Sequence, residues 1–347
     1  MKLPAGLAII TFLWAAACSC AEADQPYQVG PSTGTVEELR STQESQPGTP
    51  GGYLNAGHDW LYRRVQYLIE DLDSWFANTD VISVPISPIR IDFDGDVLHK
   101  QDGFGLISAR TFDATLALPN LERRLKLFVT SDSLQETPGD PASQQSPFRV
   151  GLRFIPGSNL DFEVGVRAKL VPSAFAALKW TRPWSDGDVH TYPFVKLYAQ
   201  SDTGLGASGG VAVDRWSDRW VMRSSTYADW VRNTAATDWN QTFILGYARA
   251  VIHERNYDRL ADGHDLACGV IGKLSMSGDR ISRTTLYEAS VVFKRPLHGG
   301  WLFGYAGPLV RWERVYDWHP DVGVRIGFDA LFWGTAAQAS AQSPYCR

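Results

Sequence analysis

The chain has 347 residues, room for one large domain or two ordinary ones. Lys plus Arg number 33 against 38 Asp plus Glu, a formal net charge of -5, a balance that gives no reason to expect a nucleic-acid partner. With 31 Gly, 13 Trp, 13 Tyr and 16 Phe, the composition fits a sheet-rich protein better than a helical one.

The N-terminus reads as a secretory signal. Lys2 supplies the positive end, Leu7 to Ala17 a short apolar run, and Ala21-Glu22-Ala23 an A-x-A-like cleavage site, so residues 1–23 are the expected signal peptide. The run falls short of the ~20 apolar residues a spanning helix needs, and no later segment reaches that length. Cleavage after Ala23 removes Cys18 and Cys20. A lipoprotein alternative, with Cys18 lipidated after Ala15-Ala16-Ala17, lacks the Leu usual three residues before the lipidated Cys. Cys268 and Cys346 then remain; export makes a disulfide chemically allowed, and their pairing stays open.

Residues 24–56 are polar and breaker-rich and are expected to be a disordered linker. An amphipathic helix is expected over 57–80, with Asp59 as its N-cap. Leu61, Val65, Leu68, Ile69, Leu72, Trp75 and Phe76 recur at three- and four-residue spacing. Such a helix suits a membrane surface or the end of its own protein, and packing on its own protein is the favoured reading.

From Pro88 to about 334 the period changes to two. Phe148, Val150, Leu152 and Phe154 alternate with Arg149, Gly151 and Arg153. Val322, Val324, Ile326 and Phe328 alternate with Gly323, Arg325 and Gly327. Soluble sandwiches alternate too, but with strands of about 5–6 residues. The runs here reach ten to fifteen residues, long enough to cross a hydrocarbon core when tilted. The expected fold is therefore all-β: a transmembrane antiparallel β-barrel preceded by an amphipathic helix. Turn signals divide it into about 14 strands, with 12 as the alternative because the first is weakest. Trp180, Trp184, Trp216, Trp220, Trp230, Trp239, Trp301, Trp312, Trp318 and Trp333 are expected to form interfacial girdles. The polar stretch from Ser131 to Pro147 is an expected extracellular loop, which places the helix and both chain ends in the periplasm. Residues 335–347 form a C-terminal tail.

The expected lumen face is rich in cations. Arg90, Arg124, Lys126, Arg149, Arg153, Arg167, Lys169, Lys196, Arg311 and Arg325 are the candidate pore-lining residues, with Lys179 and Lys294 beside them. The acids on that face are fewer: Asp92, Asp94, Asp113, Glu163, Glu288, Glu313 and Asp329. Rings of Arg and Lys favour anions, whereas cross-strand pairing would fill the lumen instead.

The last strand carries Asp321, Gly323, Ile326 and Phe328, which resemble the C-terminal assembly signal of outer-membrane barrels. That resemblance implies the barrel-assembly machinery as a partner, although nineteen residues follow Phe328, where such signals commonly end. The segment order also resembles an uncharacterised family of Gram-negative outer-membrane β-barrel proteins with an N-terminal helix. The matching residues are Asp73-Ser74-Trp75-Phe76, Ile89-Arg90-Ile91-Asp92-Phe93 and Leu118-Pro119-Asn120-Leu121-Glu122-Arg123-Arg124-Leu125. This resemblance implies location and architecture, and no activity.

Catalytic signals are sparse. There are seven His. His253-Glu254 would point to opposite faces of a continuing strand, and His190, His264, His298 and His319 read as turn residues. No catalytic residue, metal site or cofactor is assigned. Asp92-Phe93-Asp94-Gly95-Asp96 looks like part of a calcium loop, but the twelfth position is Gly103, and a lumen ion pair with Arg90 is simpler. The expected function is a narrow, anion-preferring channel or a structural component of the cell envelope, in contact with outer-membrane lipids and passing small anionic solutes. The alternative is a lipid- or polysaccharide-modifying barrel enzyme.

Overall fold

The computed structural model describes residues 49–77, 89–100, 103–117, 125–130, 148–157, 159–168, 170–217, 219–232, 237–251, 266–280, 283–299 and 301–332. Helix α1 spans Pro50–Ala77. The strands are β1 (Ile89–Lys100), β2 (Gly103–Ala117), β3 (Leu125–Thr130), β4 (Arg149–Gly157), β5 (Leu160–Arg167), β6 (Ser173–Thr181), β7 (Trp184–Asp186), β8 (Val189–Gln200), β9 (Gly204–Trp216), β10 (Trp220–Val231), β11 (Thr237–Val251), β12 (Leu266–Arg280), β13 (Arg283–His298), β14 (Leu302–Glu313) and β15 (Pro320–Phe332). The expected signal peptide, most of the linker, Arg124, Lys169, Trp333 and the C-terminal tail lie outside the described residues.

Every pairing is antiparallel and joins neighbours in sequence, except at two places. β1 pairs with β15 from Ile89↔Phe332 to His99↔Val322. β6 pairs with β8 over seven residues, from Phe175↔Gln200 to Thr181↔Phe194, bypassing β7. These two ladders join the ends of the strand order, so fourteen strands each have a partner on both edges. β7 is a three-residue flap on β8. The first strand, the weakest in sequence, is fully paired, which removes the twelve-strand alternative.

The wall is inverted relative to a soluble protein. Along β10 the odd positions Val221, Arg223, Ser225, Tyr227, Asp229 and Val231 are buried, while Trp220, Met222, Thr226 and Trp230 are exposed. Directly paired residues share a face, and the registers carry one inward set round the ring. Asp96 faces Arg325, Glu288 faces Arg311 and Ser275, Thr242 faces Ser225, Lys196 faces Ser208 and Lys179, and Arg153 faces Glu163. The outward set includes Val164, Leu197, Leu245, Leu274 (58% exposed), Phe293 and Ile326. Water would penalise such a surface at ~25 cal/mol per Å² of apolar area, while hydrocarbon removes the penalty.

Spacing along one strand gives the thickness of the belt. Trp220 and Trp230 stand at opposite ends of β10 on the outward face. Ten residues at ~3.3 Å each, tilted by about 40°, span roughly 25 Å, the height of a lipid-facing apolar band. Trp180 and Trp184 join Trp220 at one end, and Trp318, tilted against Tyr287 at 5.3 Å, joins Trp230 at the other. Among the described residues no helix is long and apolar enough to cross a membrane. The crossing elements are the strands.

Several expectations change. Helix α1 starts at Pro50, not near 57, so 50–56 are helical rather than linker, and Asp59 is not the N-cap. Thr49 takes that place, its Oγ1 accepting the Gly52 N–H at 3.1 Å, and proline is tolerated at the first helical position. Helical cost at Gly51 and Gly52 is offset by docking. A Cβ on Gly51 would stand 2.9 Å from the His298 ring. Trp301 is not a girdle residue. It is 5% exposed and packed under α1, with His58 at 4.6 Å and Phe332 at 5.9 Å. Cys268 is disulfide-bonded, and the other three cysteines lie outside the described residues.

Candidate functional site

The lumen concentrates polar chemistry, as alternation requires once the outer face is committed to lipid. Its best-defined feature is a four-residue ion network on β1, β13, β14 and β15. Arg325 Nε and Nη2 donate to the two oxygens of Asp96 at 2.8 and 2.9 Å, and Nη2 also reaches Glu288 Oε1 at 3.0 Å. Arg311 Nη2 donates to Glu288 Oε2 at 2.7 Å and to Asp96 Oδ2 at 3.2 Å. Two guanidinium groups thus share two carboxylates, with the charge-assisted geometry that makes such pairs strong. On the same side Lys294 pairs with Asp329 and lies 5.7 Å from the Phe303 ring.

β4–β8 and the neighbouring Phe128 of β3 are built differently. Arg153 donates to Glu163 at 2.7 Å, and Arg149 stands 3.6 Å from the same carboxylate. Arg149 also covers Phe128 and Phe175 at 5.9 and 5.6 Å, and Arg153 lies 5.5 Å from Phe128. The rings can lie flat because Gly151 and Gly165 face each other in the register; a Cβ on either would come within 3.0 Å of a ring. Arg167 donates to Gln200, an uncharged partner. Lys179 lies 5.3 Å from the Phe194 ring.

Between these regions lie a buried Arg223–Asp214 fork at 2.6 and 2.8 Å, and Asp229 accepting from Tyr198 and Tyr227. Asp229, Asp214, Arg223 and Asp96 were absent from the sequence-derived lumen set. Asp96 was detectable, since it shares strand parity with Asp92 and Asp94. β9 was not, because Gly204-Leu-Gly-Ala-Ser-Gly-Gly has small residues on both faces.

Among the described side chains the inward charge is unevenly distributed. β4–β8 carry Arg149, Arg153, Arg167, Lys179 and Lys196 against Asp161 and Glu163. Elsewhere Arg223, Lys273, Lys294, Arg311 and Arg325 face Asp92, Asp94, Asp96, Asp214, Asp229, Asp238, Glu288, Glu313, Asp321 and Asp329. The expectation of a basic-leaning lumen with fewer acids is corrected: a basic arc faces an acidic remainder. Asp214 and Asp229 were missed because small or polar residues on both faces of β9 and β10 hid the register. Arg90 and Lys126 stand opposite Asp113 and Arg153 in the backbone register, with their side chains outside the described residues.

The other sequence motifs also find places. Asp96 of the Asp92–Asp96 stretch is consumed by arginines, the ion-pair reading with Arg311 and Arg325 as partners. In β15, Asp321 is buried, Gly323 lies beneath Leu98, and Ile326 and Phe328 are exposed, with Phe328 stacked 5.4 Å from Phe93. His190 is a β8 residue rather than a turn residue, and its Nδ1 is 2.8 Å from Ser185 Oγ in the β7–β8 hairpin. His319 Nδ1 is bound to the Tyr316 carbonyl, and His298 is held by α1. His253 and His264 lie outside the described residues.

No protein-family model and no curated protein sequence matches the chain. Among solved structures it is similar to the KdgM porin, with 8% identity over 70% of this chain and 98% of that one, at a TM-score of 0.33. It is also similar to an outer-membrane-expressed OmpT of Vibrio cholerae, with 8% identity over 73% and 100% of the chains at a TM-score of 0.37. A porin refined at 1.8 Å resolution gives 9% identity, 70% and 99% coverage, and a TM-score of 0.37. These are likenesses of outline. The reading of this chain rests on its own wall and lumen.

Proposed function

We propose that this protein is a β-barrel of the Gram-negative outer membrane whose lumen is a narrow polar conduit for small solutes, with anions following the β4–β8 arc. One observation carries the reading: fourteen strands enclose an inward set of charged and polar side chains behind an apolar outer wall. Eight strands already make an interior that side chains fill, and 16–18 leave an aqueous channel. Fourteen stand near the upper class, with aromatic and arginine side chains narrowing the bore.

Anion preference rests on the arc, not on the whole lumen. Arg149 and Arg153 share one glutamate and lie against rings, and Arg167 meets Gln200 and the Asp202 charge, so these three arginines face two nearby carboxylates. The start of β1, the end of β15 and α1 share one barrel end, which this reading places in the periplasm. The long segment between β3 and β4 then lies outside the cell. Asp321, Gly323, Ile326 and Phe328 would address the chain to the barrel-assembly machinery, and membership of the family with the N-terminal helix belongs to this proposal.

Planar-bilayer recording of the refolded full chain tests it. Discrete conductance with a reversal potential favouring chloride in a KCl gradient is expected. Absence of conductance would leave a structural envelope barrel. A second reading, a lipid-modifying enzyme, is favoured only by the Ser185–His190 hydrogen bond. Its paired Ser185→Ala and His190→Ala variants should leave extracted phospholipid and lipid A unchanged; a changed pattern would revive it.

A further inference from the structure

Helix α1 has two faces with opposite fates. Asn55, His58 and Tyr62 line one side. Asn55 Oδ1 accepts from His298 Nε2 at 2.8 Å and from Trp301 Nε1 at 3.3 Å. His58, 2% exposed, stacks on Phe332 at 4.7 Å. Burial on this side pushes the Tyr62 hydroxyl pKa above its ordinary value. At 100° per residue, Tyr53, Trp60 and Tyr67 fall on the opposite side, within a narrow sector. They are 70%, 65% and 60% exposed, with the exposed Arg63 and Arg64 beside them. Large aromatics left this bare on a helix already docked elsewhere need a surrounding other than water.

We propose that this second face of α1 lies in the headgroup layer of the bilayer that surrounds the barrel, with Arg63 and Arg64 on lipid phosphates. Two observations point to lipid. The docked face continues the lipid-facing wall: Val322, Val324, Ile326 and Phe328 are exposed along β15, and Phe332, which follows Ala330 in the same parity, is the residue that His58 covers. Helix α1 therefore begins where the apolar belt ends, at the barrel end that bears Trp180, Trp184 and Trp220. The chemistry also fits. Tyr and Trp favour the membrane interface, and Arg binds phosphate bidentately. Among residues 50–67 the sole carboxylate is Asp59, against two arginines. The inference rests on the membrane reading of the barrel and is independent of whether the lumen conducts.

The test uses the full mature chain with Ala56→Cys, on the exposed face, carrying a nitroxide attached without reductant so that the Cys268 disulfide stays intact. The protein is reconstituted in phosphatidylethanolamine–phosphatidylglycerol vesicles. The expected result is a label more accessible to oxygen than to a water-soluble nickel chelate. Combined Tyr53→Ser, Trp60→Ser and Tyr67→Ser should reverse that preference while the barrel keeps its heat-dependent gel shift. Arg63→Ala with Arg64→Ala should remove its dependence on the phosphatidylglycerol fraction. A label equally open to nickel chelate in the parent would overturn the proposal. So would spin–spin broadening that disappears on dilution with unlabelled protein, which would mark a second copy as the occupant. Loss of conductance with the label still in lipid would count against the conduit alone.

Discussion

The two sides of the lumen use the same residue types to different ends. On β1, β13, β14 and β15, Arg311, Arg325 and Lys294 are matched by Asp96, Glu288 and Asp329, and Arg311 and Glu288 are almost fully buried. On β4–β8, Glu163 serves both Arg149 and Arg153, and the arginines and Lys179 also lie against aromatic rings. The first arrangement is cohesion: four strands cross-linked by neutral ion clusters. The second leaves a positive field facing the bore. A count of lumen cations misses this, because what a solute meets depends on which charges are already cancelled.

The largest expected effect lies in the cohesive side. Arg311→Ala leaves Asp96 and Glu288 sharing Arg325 alone, and breaking such a buried pair costs about 3–5 kcal/mol. Urea unfolding of the vesicle-embedded barrel should show it, whereas Arg153→Ala, partly exposed and backed by Arg149, should cost less than half as much. Equal losses would erase the distinction between the two sides. Next comes the alternation that keeps both sides wet: Leu274→Arg, at the middle of β12 on the outer face, should cost roughly 2–4 kcal/mol in the same measurement.

The cohesive side also carries α1. Asn55→Ala strands the His298 and Trp301 N–H groups, at a cost of ~1–3 kcal/mol for buried donors left unmatched. Hydrogen exchange over residues 50–67 should rise while that of β4–β8 does not. The smallest effect is on selectivity. Arg149→Gln with Lys196→Gln should lower the chloride-to-potassium permeability ratio by up to about tenfold, the lower end of what focused charge provides. Lys294→Gln combined with Asp329→Asn, which removes a pair that is already neutral, should leave the ratio nearly unchanged.

Much of this fold was legible in residue order. A strand has no freedom over which face a residue takes once its neighbour's face is set, so Phe148-Arg149-Val150 and Val324-Arg325-Ile326 announce their wall. Lipid outside and charge inside then follow from solvation alone, and the count of fourteen strands in the ring is the one that alternation and turn residues give. Legibility failed where that code is silent. β9 and β10 carry small or polar residues on both faces, so Asp214, Arg223 and Asp229 could not be assigned.

The start of α1 was hidden for a different reason. Pro50-Gly51-Gly52 is a poor helix by propensity, and it becomes helical because His298 and Trp301, some 240 residues away in sequence, offer it a seat. The same holds for the charge pairs. Asp96 meets Arg325 across 229 residues only because β1 closes on β15. The sequence by itself determined the element type and its two faces, since alternation and solvation act within one strand. Closure decided which charges neutralise one another, which arc stays positive and where α1 rests, because those depend on neighbours that only the ring brings together.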